Sequence, residues 1–173
     1  MVKDPIVMRD AIIINRNFEG RPEKPYNPSG KRNFTLVIDN EEFAHILKND
    51  GWNVKIKESS DPDESAVGYL SVTVKFDGKN PPKIIQVTNR NGKKKMTPLN
   101  ENNIALLDSA SIRDVKVEIV PYNWEMKNPK DGTIDRGVRA YLRTMYFELI
   151  EDCFASDYYE DDEEDSDIPF DEV

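Results

Sequence analysis

The chain has 173 residues, of which 38% are hydrophobic, enough for one domain with appendages built around a real core. Its single cysteine, Cys153, and single histidine, His45, exclude an internal disulfide framework and a Cys/His zinc site. The net charge of −9 is unevenly spread: residues 151–173 hold 12 Asp/Glu and no Lys or Arg, which leaves 21 acids against 24 bases in residues 1–150, a body near +3 with a tail of −12.

In chain order, IVMRDAIII (6–14) reads as a short apolar strand. Residues 15–32 hold Gly20, Pro22, Pro25, Pro28 and Gly30, too many breakers for a regular element, so they form a loop. FTLVID (34–39) alternates and predicts a strand. Residues 40–50 predict a helix: Phe43, Ile46 and Leu47 share a face, Asp39 with Glu42 suggests a capping box, and Gly51 is a stop. WNVKIKE (52–58) alternates Trp52, Val54 and Ile56 against polar residues. GYLSVTVKF (68–76) puts Leu70, Val72, Val74 and Phe76 on one side and Tyr69, Ser71, Thr73 and Lys75 on the other. KIIQVTN (83–89) is a further strand, followed by a basic Asn-Gly turn through Lys93, Lys94 and Lys95. A helical turn is expected around Ile104–Leu107, then strands at 115–126 and 138–150 joined by a polar hairpin loop.

Six or seven strands joined by hairpins and loops, with one firm helix, imply an all-β, mainly antiparallel fold. An OB-fold-like barrel with one short helix, over residues 1–150, followed by a disordered acidic C-terminal tail at 151–173, is the expected architecture. No apolar run reaches the length of a membrane span and no signal-peptide core opens the chain, so a soluble cytoplasmic protein is expected. No Walker, GxSxG or HExxH motif is present, and the acids Asp61, Asp63 and Glu64 read as a solvated loop. No catalytic residue, metal or cofactor is expected.

What does stand out is basic residues interleaved with aromatics. Each base of a single-stranded nucleic acid offers a flat face and each phosphate a charge, so aromatics stack and Lys/Arg track the backbone. Three stretches fit. The 16–34 loop offers Arg16, Arg21, Lys31 and Arg32 for phosphate and Phe18 for stacking, with Tyr26 between them; packing of Phe18 and Phe34 into the core is the alternative. The polar face of 68–76 offers Tyr69 for stacking and Lys75 for phosphate, joined by Lys55. In VRAYLRTMYF, Arg139, Tyr141 and Arg143 fall on one side, although Met145 and Phe147 continue in the same phase. Trp52 and Trp124 complete the stacking candidates, with a core position open for both.

Acid alone does not explain Asp167-Ile168-Pro169-Phe170, an apolar plug within the tail that suits docking into a pocket with a basic rim. This segment, with Glu163-Glu164-Asp165 before it, resembles the acidic tip of bacterial single-stranded DNA-binding proteins. The body is similar to phage-encoded single-stranded DNA-binding proteins in Arg16-Asn17-Phe18-Glu19-Gly20, Lys31-Arg32-Asn33-Phe34 and Asp50-Gly51-Trp52-Asn53-Val54-Lys55. Pro121-Tyr122-Asn123-Trp124-Glu125 and Ala140-Tyr141-Leu142-Arg143-Thr144-Met145-Tyr146 continue the likeness. The resemblance implies an OB-fold body that holds ssDNA without sequence preference, and a tail that recruits a polymerase, helicase, nuclease or recombinase in phage replication, recombination or repair, within the host cytoplasm. In the bacterial family Phe is the last residue; here Asp171-Glu172-Val173 follow it, so the host partners do not carry over. An acidic DNA-mimic that binds a host nucleic-acid enzyme is the rival class, and the positive body speaks against it. Oligomeric state is left open.

Overall fold

Apolar alternation along 34–39 and 68–76 becomes two paired strands at the centre of a mixed nine-stranded sheet. The structure, a computed structural model, describes residues 2–151. Expectations for the tail, including Asp167, Ile168, Pro169 and Phe170, lie outside the described residues. The strands are β1 (Ile6–Met8), β2 (Ile12–Asn17), β3 (Asn33–Ile38), β4 (Val54–Lys57), β5 (Val67–Thr73), β6 (Lys83–Arg90), β7 (Lys93–Leu99), β8 (Ile112–Lys127) and β9 (Ile134–Leu149). The helix α1 spans Glu41–Asp50, and a 3-10 helix spans Ile104–Asp108.

The central path runs β2–β3–β5–β9–β8. Its ends meet where the Ala11 N–H donates to the Val115 carbonyl at 2.8 Å. Counted along the chain these five strands lie in the order 1-2-3-5-4, antiparallel throughout except for β5 against β9. This is an OB-like Greek-key barrel. β1 adds to the outer edge of β8, β4 pairs with β5, and the β6–β7 hairpin joins β9 through a second parallel pairing.

The barrel interior is apolar because one side of each strand is. Phe34, Leu36 and Ile38 of β3 face Leu70 and Val72 of β5, and Leu142, Met145 and Phe147 of β9 join them, all buried. Each such side chain contributes about 1.5–3 kcal/mol by leaving water. The 3-10 helix adds Ile104 and Leu107, both fully buried, and is tied to β2 by the Asp108 carboxylate, which accepts the Phe18 and Glu19 N–H groups at 2.6 and 3.1 Å.

Helix α1 forms where expected, but its N-cap is Asn40 rather than Asp39: the Asn40 side-chain oxygen accepts the Phe43 N–H at 2.9 Å. Gly51 ends it at φ 106°, a left-handed conformation that glycine adopts without strain. The stretch 6–14 is two strands rather than one, broken at Asp10 (φ 52°). Lys93–Leu99, of which Lys93, Lys94 and Lys95 were expected as part of a turn, is a full strand that completes a hairpin with β6. Among the described residues no helix is long and apolar enough to cross a membrane.

Helix α1 packs on the barrel through a close approach at Gly68, where a Cβ would lie 2.7 Å from the Ala44 Cβ and 3.1 Å from a Val54 methyl. Replacing Gly68 with Ala forces the helix outward and is expected to cost about 1–3 kcal/mol, the ordinary penalty for overpacking. Urea unfolding measures it; an unchanged midpoint would mean that the helix docks more loosely than this contact requires.

Candidate nucleic-acid interface

A strand shows alternate residues to alternate sides, so β9 could not present Arg139, Tyr141 and Arg143 outward and bury Met145 and Phe147 without a break in phase. The break is a bulge. Glu118 of β8 faces Thr144 while the next residue, Ile119, faces Leu142, so Arg143 is the extra residue. Before it, Val138, Ala140 and Leu142 point inward; after it, Met145 and Phe147 do.

The outward side of the β8–β9 ribbon therefore carries Tyr122 opposite Arg139 and Trp124 opposite Gly137, with Tyr141 next along β9. Tyr141 and Tyr122 meet edge to face at 5.9 Å and 84°. Trp124 lies directly over Gly137: a Cβ there would come within 2.6 Å of the indole. Only a glycine leaves room for that ring. On its other side β9 meets β5, with Thr73 beside Tyr141.

These pairings create a cleft of about 1010 Å³. Its lining includes Lys31 and Arg32 from the 15–32 loop, Trp52 and Asn53, Ser71, Thr73, Lys75 and Phe76 from β5 and its continuation, and Trp124, Arg136, Arg139 and Tyr141 from the ribbon. Five bases stand against two acids, Asp77 and Glu101. A second cleft, of about 1150 Å³, lies on α1 and residues 2–7. Its bases, Lys3 and Arg136, face Asp4, Asp50 and Glu125, so it lacks the positive balance an anionic polymer needs.

The candidates divide accordingly. Lys31, Arg32, Lys75, Arg139, Trp124 and Tyr141 come together in the first cleft. Arg32 is also held by the fold: its guanidinium donates to the Phe18 carbonyl at 2.7 Å and sits 5.4 Å from the centre of the Phe76 ring. Lys55 and Tyr69 are cross-strand partners on β4 and β5; Tyr69 continues the Ser71–Thr73 side of β5 without lining the cleft. Arg143 is exposed beyond the cleft, 3.9 Å from Glu118.

Four candidates are placed otherwise by the structure. Phe18 is fully buried and stacks on Phe34 with centroids 5.4 Å apart, so it has no face for a base. Trp52 is 3% exposed, sealed between the end of α1 and Val138 of β9, and offers the cleft almost none of its surface. Arg16 donates to the Leu107 and Ala110 carbonyls at 2.9 and 2.8 Å, which fastens the 3-10 segment to β2 and turns the guanidinium from solvent phosphate. Arg21 lies outside the cleft between Glu19 and Glu23, at 3.8 and 3.9 Å. The loop is tied internally: the Asn17 side-chain oxygen accepts the Gly20 and Arg21 N–H groups, and the Asn27 amide donates to the Arg21 and Lys31 carbonyls.

Sequence reasoning passed over Tyr122, Phe76, Arg136 and Asn53. Tyr122 carried a signal, since it shares the period-two side of Trp124. Arg136 carried none in its polar hairpin; the register alone sets it opposite Glu125, with which it pairs at 2.7 Å.

The sequence matches the family model of the phage ssDNA-binding domain over residues 2–171. The chain belongs to this family. Comparison with curated proteins gives no match. Among solved structures the phage ssDNA-binding fold of this chain is similar to the single-stranded DNA-binding protein of bacteriophage Enc34, at 13% identity over 88% of each chain with a TM-score of 0.46. The same Enc34 protein in complex with ssDNA gives 12% identity over 88% of this chain and 94% of that one, with a TM-score of 0.45. Gp2.5, a single-stranded DNA-binding protein encoded by bacteriophage T7, gives 15% identity over 90% and 97%, with a TM-score of 0.32.

The burial contrast is measurable. Phe18→Ala is expected to lower the unfolding free energy by about 3–5 kcal/mol, as for other buried Phe truncations. Tyr141→Ala, at a half-exposed position on the outer side of β9, should lose much less. Equal losses in urea unfolding would make Tyr141 a core residue and remove it from the interface.

Proposed function

We propose that this phage ssDNA-binding family member coats single-stranded DNA without sequence preference during phage replication or recombination. The strand lies in the cleft between β5 and the β8–β9 ribbon. The observation that carries this reading is the convergence, in one cleft, of five cations with Trp124, Tyr141 and Phe76 from four separate segments of the chain. Lys31, Lys75 and Arg139 face phosphates; Tyr141 and Trp124 take bases on their rings. Stacking on an aromatic discriminates little between bases, which suits a protein that covers whatever sequence is exposed. Neither cofactor nor catalytic group enters this reading. It also gives the acidic tail a role: Ile168, Pro169 and Phe170 fill a pocket on a replication or recombination protein, and the flanking acids steer the approach.

The reading is tested by tryptophan fluorescence titration with poly(dT) and with duplex DNA of the same length. Tight binding to poly(dT) with quenching, weak binding to duplex, and affinity that falls steeply with salt are expected. Tyr141→Ala should cost about 1–3 kcal/mol of binding, at about tenfold in affinity per 1.4 kcal/mol. Arg139→Glu should weaken binding and flatten the salt dependence. Equal affinity for duplex, or unchanged affinity in both variants, would defeat the proposal. A 1–150 truncation should keep ssDNA affinity while losing capture of the phage's replication proteins; loss of DNA binding on truncation would place the DNA site in the tail instead.

A further inference from the structure

The outward side of the β8–β9 ribbon does not end at the cleft. Past the Arg143 bulge it continues through Thr144 to Tyr146, six ladder positions beyond Arg139 and so about 20 Å along the strand at the ordinary rise. Lys116 lies directly across from Tyr146. The parallel pairing of β6 with β9 brings in Lys83, whose ammonium sits 5.5 Å from the centre of the Tyr146 ring. The β6–β7 hairpin adds the exposed Lys94, opposite Asn89 and so in phase with Ile85 and Tyr146.

The acids of this stretch are occupied within the protein. Glu148 accepts from Arg113 at 2.7 Å, and that hydrogen bond holds its carboxyl below the usual glutamate range, with Lys94 near enough to contribute. Glu118 accepts the Thr144 hydroxyl at 3.2 Å. Among the described residues, none of the ion pairs involves Lys83, Lys94, Lys95 or Lys116. Three ammonium groups around a tyrosine, those of Lys83, Lys94 and Lys116, repeat the chemistry of the cleft on the same side of the sheet.

We infer that this stretch is a second segment of one nucleic-acid path, in which a single strand leaving the cleft passes over Arg143 and Tyr146 with its phosphates toward Lys83, Lys116 and Lys94. The inference rests on the cleft being the ssDNA site. Its occupant is argued from charge and from continuity: the ribbon carries one unbroken outward side from Trp124 to Tyr146, and an anionic polymer already held at Arg139 meets these lysines next.

The test uses the full chain with Lys83, Lys94 and Lys116 changed together, Lys→Glu in one variant and Lys→Gln in a second. Fluorescence anisotropy is measured with oligo(dT) of about 6 and about 16 nucleotides, lengths within the range one OB barrel holds. The short oligonucleotide fills the cleft alone and should bind wild type and both variants alike. The long one should bind the Lys→Glu variant about tenfold more weakly than wild type, and the salt slope should fall by about 2, from about 0.7 for each of three lost phosphate contacts. The Lys→Gln variant, which removes charge without reversing it, should show the same slope change and guards against an unfolded charge-reversal protein. Unchanged long-oligonucleotide affinity overturns the inference and leaves the lysines to an acidic protein segment. Equal loss at both lengths overturns it too, since the effect would then be a general field and not a path. Wild-type protein that binds neither length overturns the reading of the cleft itself, whereas cleft binding with no gain on lengthening overturns only the second segment.

Discussion

The architecture depends on how β9 divides its work. This strand is the meeting point of the sheet: β8 flanks it along its whole length, and β5 and then β6 lie against its other edge, both in parallel register. Its N-terminal half must close the barrel through Val138, Ala140 and Leu142, and its C-terminal half must fill the core with Met145 and Phe147. A regular strand cannot do both, because these residues fall on opposite phases. One extra residue, Arg143, changes the phase and leaves an uninterrupted polar and aromatic side outward. Without that bulge either the core would lose a Met and a Phe or the interface would lose Arg139 and Tyr141.

The rest of the interface is assembled around this strand. β5 reaches β9 only at its end, and it is that short parallel contact that sets Thr73 beside Tyr141 and brings Lys75 into the cleft. The end of α1 is tied to β9 by the Val138 N–H on the Gly51 carbonyl, at 3.0 Å. Trp52 seals the joint beneath. Buried groups that look suited to nucleic acid, Phe18, Trp52 and Arg16, therefore hold the scaffold, and the exposed ones ride on it. The scaffold is fixed by packing, whereas affinity for an anionic polymer comes from surface charge and varies with salt.

Much of this was legible in the sequence. Clean alternation in 34–39 and 68–76 identified β3 and β5 and offered the core position that Phe34 takes, and the conflict of phase between Arg143 and Met145 was visible, although the bulge that resolves it was not. Trp52 alternates with Val54 and Ile56, a signal for the core that its aromatic character obscured. Phe18 and Arg16 were not legible, because what captures them is remote: Phe34 for the ring, and carbonyls of residues 107 and 110 for the guanidinium. β7 was hidden for a different reason. KKKMTPL has no apolar alternation, since most of it is exposed, and it is a strand only because β6 supplies its hydrogen bonds. The cleft as a whole could not be read, since it needs the β5–β9 pairing and a glycine at 137 that makes room for Trp124.

The central claim is that the outward side of the β8–β9 ribbon, and not the larger cleft on α1, receives the single strand. Photocrosslinking of the full chain to halogenated oligo(dU), followed by mass spectrometric mapping of the modified peptides, tests it most directly. The account predicts adducts at Tyr141 and Tyr122, and none at Phe43 or in residues 2–7. Adducts concentrated on α1 and residues 2–7, with Tyr141 and Tyr122 unmodified, would contradict it.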